Sequence, residues 1–191
     1  MDEQQFLQML TTVRNKRDEF LRTKYRRSLP FGDAMTDRWE RAQQLGFGEK
    51  ASIYDSALVY GDVRVGANSW IGPYTLLDGS QGPLTIGAFC SISAGSYIYT
   101  HDTALWALSG GQKEKRGGSV VIGDCVYIGS QCLVLPDVHI ENRTLIAANS
   151  LVNRDVLSGQ IVGGIPARPI GRVEGEGGNV KLVYFSHTGA I

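Results

Sequence analysis

Several things are scarce in this 191-residue chain, and each scarcity excludes something. There are three cysteines, an odd number without paired spacing, so neither a disulfide scaffold nor a CxxC zinc site is written here. A reducing cytoplasm is the expected setting. Histidine also occurs three times. Net charge is absent, with Lys+Arg and Asp+Glu at 19 each, so there is no basic footprint for nucleic acid or an anionic membrane. No run of eighteen apolar residues exists, so no membrane-spanning helix is expected. The polar, acidic start Met1-Asp2-Glu3-Gln4-Gln5 does not read as a secretory signal. What the chain has in excess is glycine, 24 residues, about twice the usual ~7%.

Two textures follow one another. Residues 1–48 read as a helical segment. Leu7, Leu10, Val13, Phe20 and Leu21 fall roughly on one face. Pro30 and Gly32 interrupt the pattern. A second short helix is expected from about Asp37 to Leu45, with Thr36 as N-cap and Gly46 as stop. The basic residues from Arg14 to Arg27 mix with acids and read as a solvated face.

From Ile53 a period of six takes over. Ile53, Val59, Val65, Ile71 and Leu77 keep it. Ile86, Ile92 and Ile98 resume it, and Ile122, Ile128, Val134, Ile140, Ile146 and Val152 complete it. A small or β-branched residue stands four places after most of these: Ala57, Val63, Ser69, Thr75, Cys90, Ser96, Val126, Cys132, Val138, Thr144, Ser150 and Val156. Glycine follows the aliphatic at 66, 72, 87, 123 and 129. Such a fixed repeat marks a solenoid and does not suit 3.6 residues per turn. Short parallel strands joined by tight turns fit it, with the aliphatic pointing into a narrow prism, the small residue at a crowded corner, and glycine permitting the dihedrals and close backbone approach of a tight turn.

This pattern resembles the hexapeptide repeat of left-handed parallel β-helix proteins, most of which are acyltransferases. The resemblance covers about residues 50–172. Three hexads make one triangular coil, so a mainly β fold of about 4.7 coils is expected, roughly 22 Å tall at ~4.8 Å per rung. The chain then divides into an N-terminal helical cap (1–48), a β-helix domain (49–172) and a C-terminal tail (173–191). Helices and tail would cover the open edges at the two ends.

The repeat breaks in two places. Three extra residues bulge out around Asp78-Gly79-Ser80-Gln81-Gly82. After Ile98 a charge, Asp102, stands where a small inward residue belongs. The seventeen residues Thr103–Ser119 then form an unpatterned excursion loop, a form that is usually functional or disordered. Tyr99-Thr100-His101-Asp102 sits at its root and resembles the catalytic histidine segment of the xenobiotic and sugar O-acetyltransferase branch. The resemblance implies direct acetyl transfer from acetyl-CoA to a hydroxyl, with His101 as general base and Asp102 or a backbone carbonyl orienting its ring. Asp78 loosely matches a sugar-binding Asp of the galactoside branch, and Tyr99 or Trp106 could stack on a sugar or simply anchor the loop. His139 and His187 read as surface residues.

Coenzyme-binding positions come from the same resemblance. Tyr127-Ile128-Gly129-Ser130 resembles a Trp-Ile-Gly-Ser segment whose backbone bonds the pantetheine arm. Ile146-Ala147-Ala148-Asn149-Ser150 resembles Ile-Gly-Ala-Gly-Ser, with Ala147 and Asn149 in place of glycines. Val152-Asn153-Arg154-Asp155-Val156 resembles Val-Thr-Lys-Asp-Ile, which puts Arg154 on a phosphate and Asn153 where Thr is usual. Gly164-Ile165-Pro166-Ala167-Arg168, with Arg172, resembles the closing Gly-x-Pro-Ala-(Lys/Arg) segment, and arginine suits phosphate.

A homotrimer with sites between neighbours is implied, along with a small-molecule or saccharide acceptor. A role in bacterial surface polysaccharide synthesis is expected. Four rivals are weighed: N-acetylation of a nucleotide-linked amino sugar; an antibiotic O-acetyltransferase; a zinc carbonic anhydrase, which needs three His ligands where the repeats offer His101 and His139; and a non-enzymatic scaffold. A cysteine nucleophile is disfavoured, because Cys90 and Cys132 hold inward positions and Cys125 has no neighbouring His.

Overall fold

The computed structural model describes residues 1–185; His187 lies outside the described residues. The repeat region is a triangular prism of short parallel strands. On one face Ile53, Ile71, Ile92, Ile128, Ile146 and Val162 lie in successive rungs. On the second face the rungs are Val59, Leu77, Ile98, Val134 and Val152. On the third they are Val65, Ile86, Ile122 and Ile140, with Val156 joined by an isolated bridge. Regular rungs are eighteen residues apart, three hexads to a coil. The step from Leu77 to Ile98 is twenty-one, because of the bulge at 78–82. The step from Ile98 to Val134 is thirty-six, because the excursion intervenes.

The inward series forms the core. Of the fourteen hexad aliphatics only Val59 is not fully buried, and of the twelve small residues only Val63. Each buried Ile or Leu contributes about 1.5–3 kcal/mol of apolar burial. The stack also extends beyond the expected hexads. Phe47 is buried and its neighbour Gly48 bonds Val65 O, while Val156 and Val162 add inward positions at the far end.

Of the two reasons expected for the turn glycines, close backbone approach is the one that applies. Glycines 66, 72, 87, 123 and 129 do not have positive φ; a Cβ on any of them would strike the backbone or an Asn or Asp oxygen of the next coil. Close approach is therefore their reason. The left-handed conformation falls three residues after the inward aliphatic, at Asn68, Tyr74, Phe89, Cys125, Gln131, Asp137, Arg143 and Asn149. Most residues adopt that conformation at some cost.

At the N-terminal end α1 (Glu3–Tyr25) carries a capping box built on Asp2 and Gln5. Only Leu21 of α1 is buried, so the expected apolar stripe leaves Leu7, Val13 and Phe20 exposed. α2 (Phe31–Met35) and α3 (Arg38–Gln44) cover the first coil. Asp37, not Thr36, caps α3, accepting from the N–H groups of Trp39 and Glu40. Asp33 accepts from both Ser56 N–H and Ser56 Oγ, and Arg41 donates to the carbonyls of Tyr54 and Ala57. These bonds satisfy backbone at an otherwise open strand edge. At the other end Gln160–Gly164 turns back into Ala167–Glu174, and Lys181–Tyr184 adds a further antiparallel strand.

The excursion is not structureless. His101–Asp102 pairs antiparallel with Arg116–Gly117, and α4 (Ala104–Leu108) sits at the tip of this two-stranded stem.

Candidate active site

The column that follows the second face is the informative one. Tyr60, Asp78 and Tyr99 each come one residue after an inward aliphatic, and they pair across consecutive rungs. Asp78 is thus held between two tyrosine positions with its side chain only 3% exposed. Burial, and then the neighbouring charges of Tyr97, Asp78 and Tyr60, push the Tyr99 hydroxyl pKa up.

Asp78 Oδ2 lies 2.9 Å from His101 Nδ1, and the ring is 27% exposed. Asp78 Oδ1 accepts the Ser80 N–H at 3.0 Å, and Ser80 Oγ lies 3.4 Å from the same His nitrogen. A buried carboxylate with one oxygen on backbone and the other on imidazole fixes the ring's direction and favours the tautomer protonated at Nδ1. Nε2 is then the nitrogen able to accept a proton.

The carboxylate beside the ring is not the expected one. Asp102 does not hold the His101 ring; its Oδ1 accepts the Ala104 N–H at 3.0 Å and organises the start of α4. The physical reason is strand alternation, which sends neighbouring side chains to opposite sides. The carboxylate on the ring is Asp78, one coil away, the residue expected to contact a sugar.

The stem is wedged in place by glycines. A Cβ on Gly82 would overlap Gly118 O, and one on Gly117 would press on Gln81 O at 2.5 Å. Gly118 N–H bonds Thr100 O, and Arg116 pairs with Asp137 at 3.1 Å. Trp106 lies on α4, under the Lys115 ammonium at 5.6 Å, and Leu105, Trp106 and Leu108 are exposed.

The expected coenzyme residues are divided among elements. Gly129, Ser130 and Ala148 lie on the corner between the first and second faces. An open groove there, of about 570 Å³, is lined by Tyr74, Ala94, Gly95, Tyr97, Ser130 and Leu133 among others. Asn153 and Arg154 lie, exposed, on the corner between the second and third faces, the same corner as His101. These two corners flank the second face. Arg154 makes no hydrogen bond or ion pair among the described residues. Arg168 and Arg172 lie elsewhere, on the antiparallel strand that extends the first face, opposite Gly163 and Gln160. Arg172 is paired with Glu174, so the three arginines do not form one cluster. His139 is exposed on a third-face strand.

Two further residues stand around the Asp78–His101 pair without a motif to mark them, Ser80 beside the ring and Tyr60 in register with Asp78. The signal for Tyr60 was present. Counting one coil back from Asp78 along the repeat reaches it. Ser80 sits in the bulge, outside any period.

Comparison with known proteins agrees with the prism. The family described as bacterial transferase hexapeptide (six repeats) matches residues 119–154. Over 108 residues the chain is 36% identical to a chloramphenicol acetyltransferase of Morganella morganii, covering 46% of this chain and 50% of that protein. It is 29% identical over 150 residues to the mitochondrial gamma carbonic anhydrase 2 of Arabidopsis thaliana, covering 71% of this chain and 51% of that one. The chain therefore spans about half the length of these curated relatives. The crystal structure of the hexapeptide-repeat acetyltransferase VCA0836 of Vibrio cholerae O1 biovar eltor, complexed with acetyl coenzyme A, superposes with a TM-score of 0.62 at 26% identity, covering 85% of this chain and 87% of that one. The fold is accordingly the left-handed parallel β-helix. Among the described residues no three His, Cys, Asp or Glu side chains converge as a metal-ligand group.

Proposed function

We propose that this left-handed β-helix chain, which carries the hexapeptide repeat of bacterial transferases, is an acetyl-CoA-dependent O-acetyltransferase acting on a sugar hydroxyl, with His101 as general base. The observation that carries the reading is the 2.9 Å pair of buried Asp78 with His101 Nδ1 at the root of the excursion. It leaves Nε2 to take the proton of an acceptor hydroxyl, an effect worth ~10²–10⁴-fold in rate. The protonated ring faces a carboxylate, which stabilises it until the proton is passed on to the leaving group.

The residues present fit coenzyme A. The groove beside Ser130 is open, with small Ala94, Gly95 and Ser130 between the larger Tyr74, Tyr97 and Leu133, which leaves room for a long flexible arm. Arg154 is an unpaired guanidinium for a phosphate on the His101 corner. When bound, the coenzyme supplies its acyl group as a thioester, already activated for transfer. Arg168 is a second candidate for phosphate; Arg172 is spoken for by Glu174. Tyr99, Tyr60 and Trp106 are the candidate walls for a sugar ring.

The same reading includes a homotrimer. One prism offers the base on a corner with only a shallow wall around it, and a neighbour would supply the second wall. Exposed Leu58 and Tyr97 on the second face, and Leu105, Trp106 and Leu108 on the excursion, support it. Mixing inactive His101→Ala chains with chains inactivated at Arg168 or in the excursion loop should restore some activity in mixed trimers, and a fully active monomer in light scattering would refute it. We place the work in the cytoplasm, where acyl-CoA is available, on a building block of surface polysaccharide.

The test is a screen of mono- and disaccharide, amino-sugar nucleotide and antibiotic acceptors with acetyl-CoA, read as thiol release. Acceptor-dependent release with a sugar hydroxyl, lost in His101→Ala, is the expected result. Transfer to an amine alone would overturn the O-acetyl assignment, and none with any acceptor class would overturn the reading itself.

A further inference from the structure

A second cavity lies far along the chain from His101, between the C-terminal half of α1, the loop after it, α3 and the first coil. It has about 240 Å³ of space. Three arginines line it, Arg17, Arg27 and Arg38, together with the rings of Tyr25, Trp39 and Tyr54.

Three carboxylates also line it, but none lies within ion-pair distance of these arginines. Asp33 spends both oxygens on Ser56, and Asp37 caps α3. Asp55 faces Arg41 at 3.8 Å. Among the described residues no ion pair includes Arg17, Arg27 or Arg38. Arg17 donates only through Nε, to Ala34 O. Arg38 lies over the Trp39 ring at 4.1 Å and faces Tyr54 at 5.6 Å. Among the described residues its buried Nε has no partner, and its side chain makes one hydrogen bond, a long one to Tyr54 Oη at 3.4 Å.

A buried N–H donor without a partner costs about 1–3 kcal/mol, and these guanidinium groups keep donors that no carboxylate of the lining takes up. An anion would satisfy them. The aromatic walls ask for something flat as well, since rings and guanidinium planes stack on planar ligands. The space is just below the ~300–1,000 Å³ of drug-sized sites, which suits a single ring and one acid group. We propose that this cavity binds a small planar anion, an aromatic or heteroaromatic ring bearing a carboxylate or a phosphate, independently of the acetyl-transfer site.

The experiment uses the full chain saturated with coenzyme A, so that the coenzyme groove is filled. Salicylate, uridine 5′-monophosphate and inorganic phosphate are titrated by calorimetry and by tryptophan fluorescence, with Trp39→Phe identifying the reporting ring. The expected result is one ring-bearing anion bound per chain, at least about tenfold tighter than inorganic phosphate, with quenching that disappears in Trp39→Phe. Salicylate against the nucleotide tells carboxylate from phosphate. Arg38→Gln and Arg27→Gln should each weaken binding about tenfold or more. Arg27 is exposed, so its variant folds even where loss of Arg38 loosens the cap, and thermal melting checks both. Four results would overturn the proposal: no binding of either ring-bearing anion up to about 5 mM, displacement by coenzyme A, unchanged affinity in Arg27→Gln, or inorganic phosphate binding as tightly as the ring-bearing probes.

Discussion

Replacing Asp78 by Asn changes one atom and tests how His101 is held. The side chain is 3% exposed and makes two bonds, Oδ1 with Ser80 N–H and Oδ2 with His101 Nδ1. Asn can keep the first through its carbonyl. Its amide then faces Nδ1 and donates to it, which moves the ring proton to Nε2 and removes the base. The rate should fall by most of what a general base contributes, about 10²–10⁴-fold in kcat, approaching the loss in His101→Ala. KM for acetyl-CoA should stay within about threefold, because the interaction lost acts on proton transfer rather than uniform binding. Stability changes less. One hydrogen bond to a charged group is worth about 1.5–3 kcal/mol, and part is returned because a buried carboxylate no longer has to be desolvated. Asp102→Asn is the internal control, since Asn can still accept the Ala104 N–H and activity should fall no more than about threefold. Thiol-release kinetics and a melting curve on all three variants decide it. If Asp78→Asn keeps more than a third of kcat in a folded protein, or Asp102→Asn is the more damaging, the reasoning is wrong.

Other expectations are narrower. Arg154→Gln should raise KM for acetyl-CoA about tenfold with little change in kcat, while Arg172→Gln, already tied to Glu174, should do much less; initial-rate kinetics against coenzyme concentration compare them. Gly82→Ala should lower kcat more than melting temperature, because the new methyl meets Gly118 O and displaces the stem carrying His101; normal turnover would show that the stem is not a positioning element. Burial pushes the Cys90 and Cys132 thiol pKa values up, whereas Cys125 is exposed. One thiol per chain should therefore react with an aromatic disulfide in the native protein and three after unfolding. The sign for stability follows. Above the ordinary thiol pKa of about 8.5 the unfolded thiols lose protons that the folded ones retain, so melting temperature should fall as pH rises past that point.

The prism was legible from sequence because its cause is local and periodic. Each coil must offer an aliphatic to the same narrow interior and a small residue to the same corner, so the requirement is written every six residues. Both interruptions, at 78–82 and after Ile98, were legible for the same reason, and with them the candidate base at the second break. Left-handed turn residues such as Tyr74, Phe89 and Cys125 carried no such mark, since no side-chain type is required there.

What only the tertiary structure decided is which groups meet across coils. Asp102 is next to His101 in sequence, but strand alternation turns it away, and Asp78 reaches the ring from the preceding coil. Arg154 and Arg168 are close in sequence, yet the turn-back at Gly164 carries Arg168 onto another face. The arginines of the N-terminal cavity come from three segments whose mixed charges look solvated until folding brings them around one hollow. Periodic burial acts along the chain, so one sequence contains its rule. A hydrogen bond between coils depends on the register of two segments and on how far the bulge between them shifts it, and those are settled only when the coils stack.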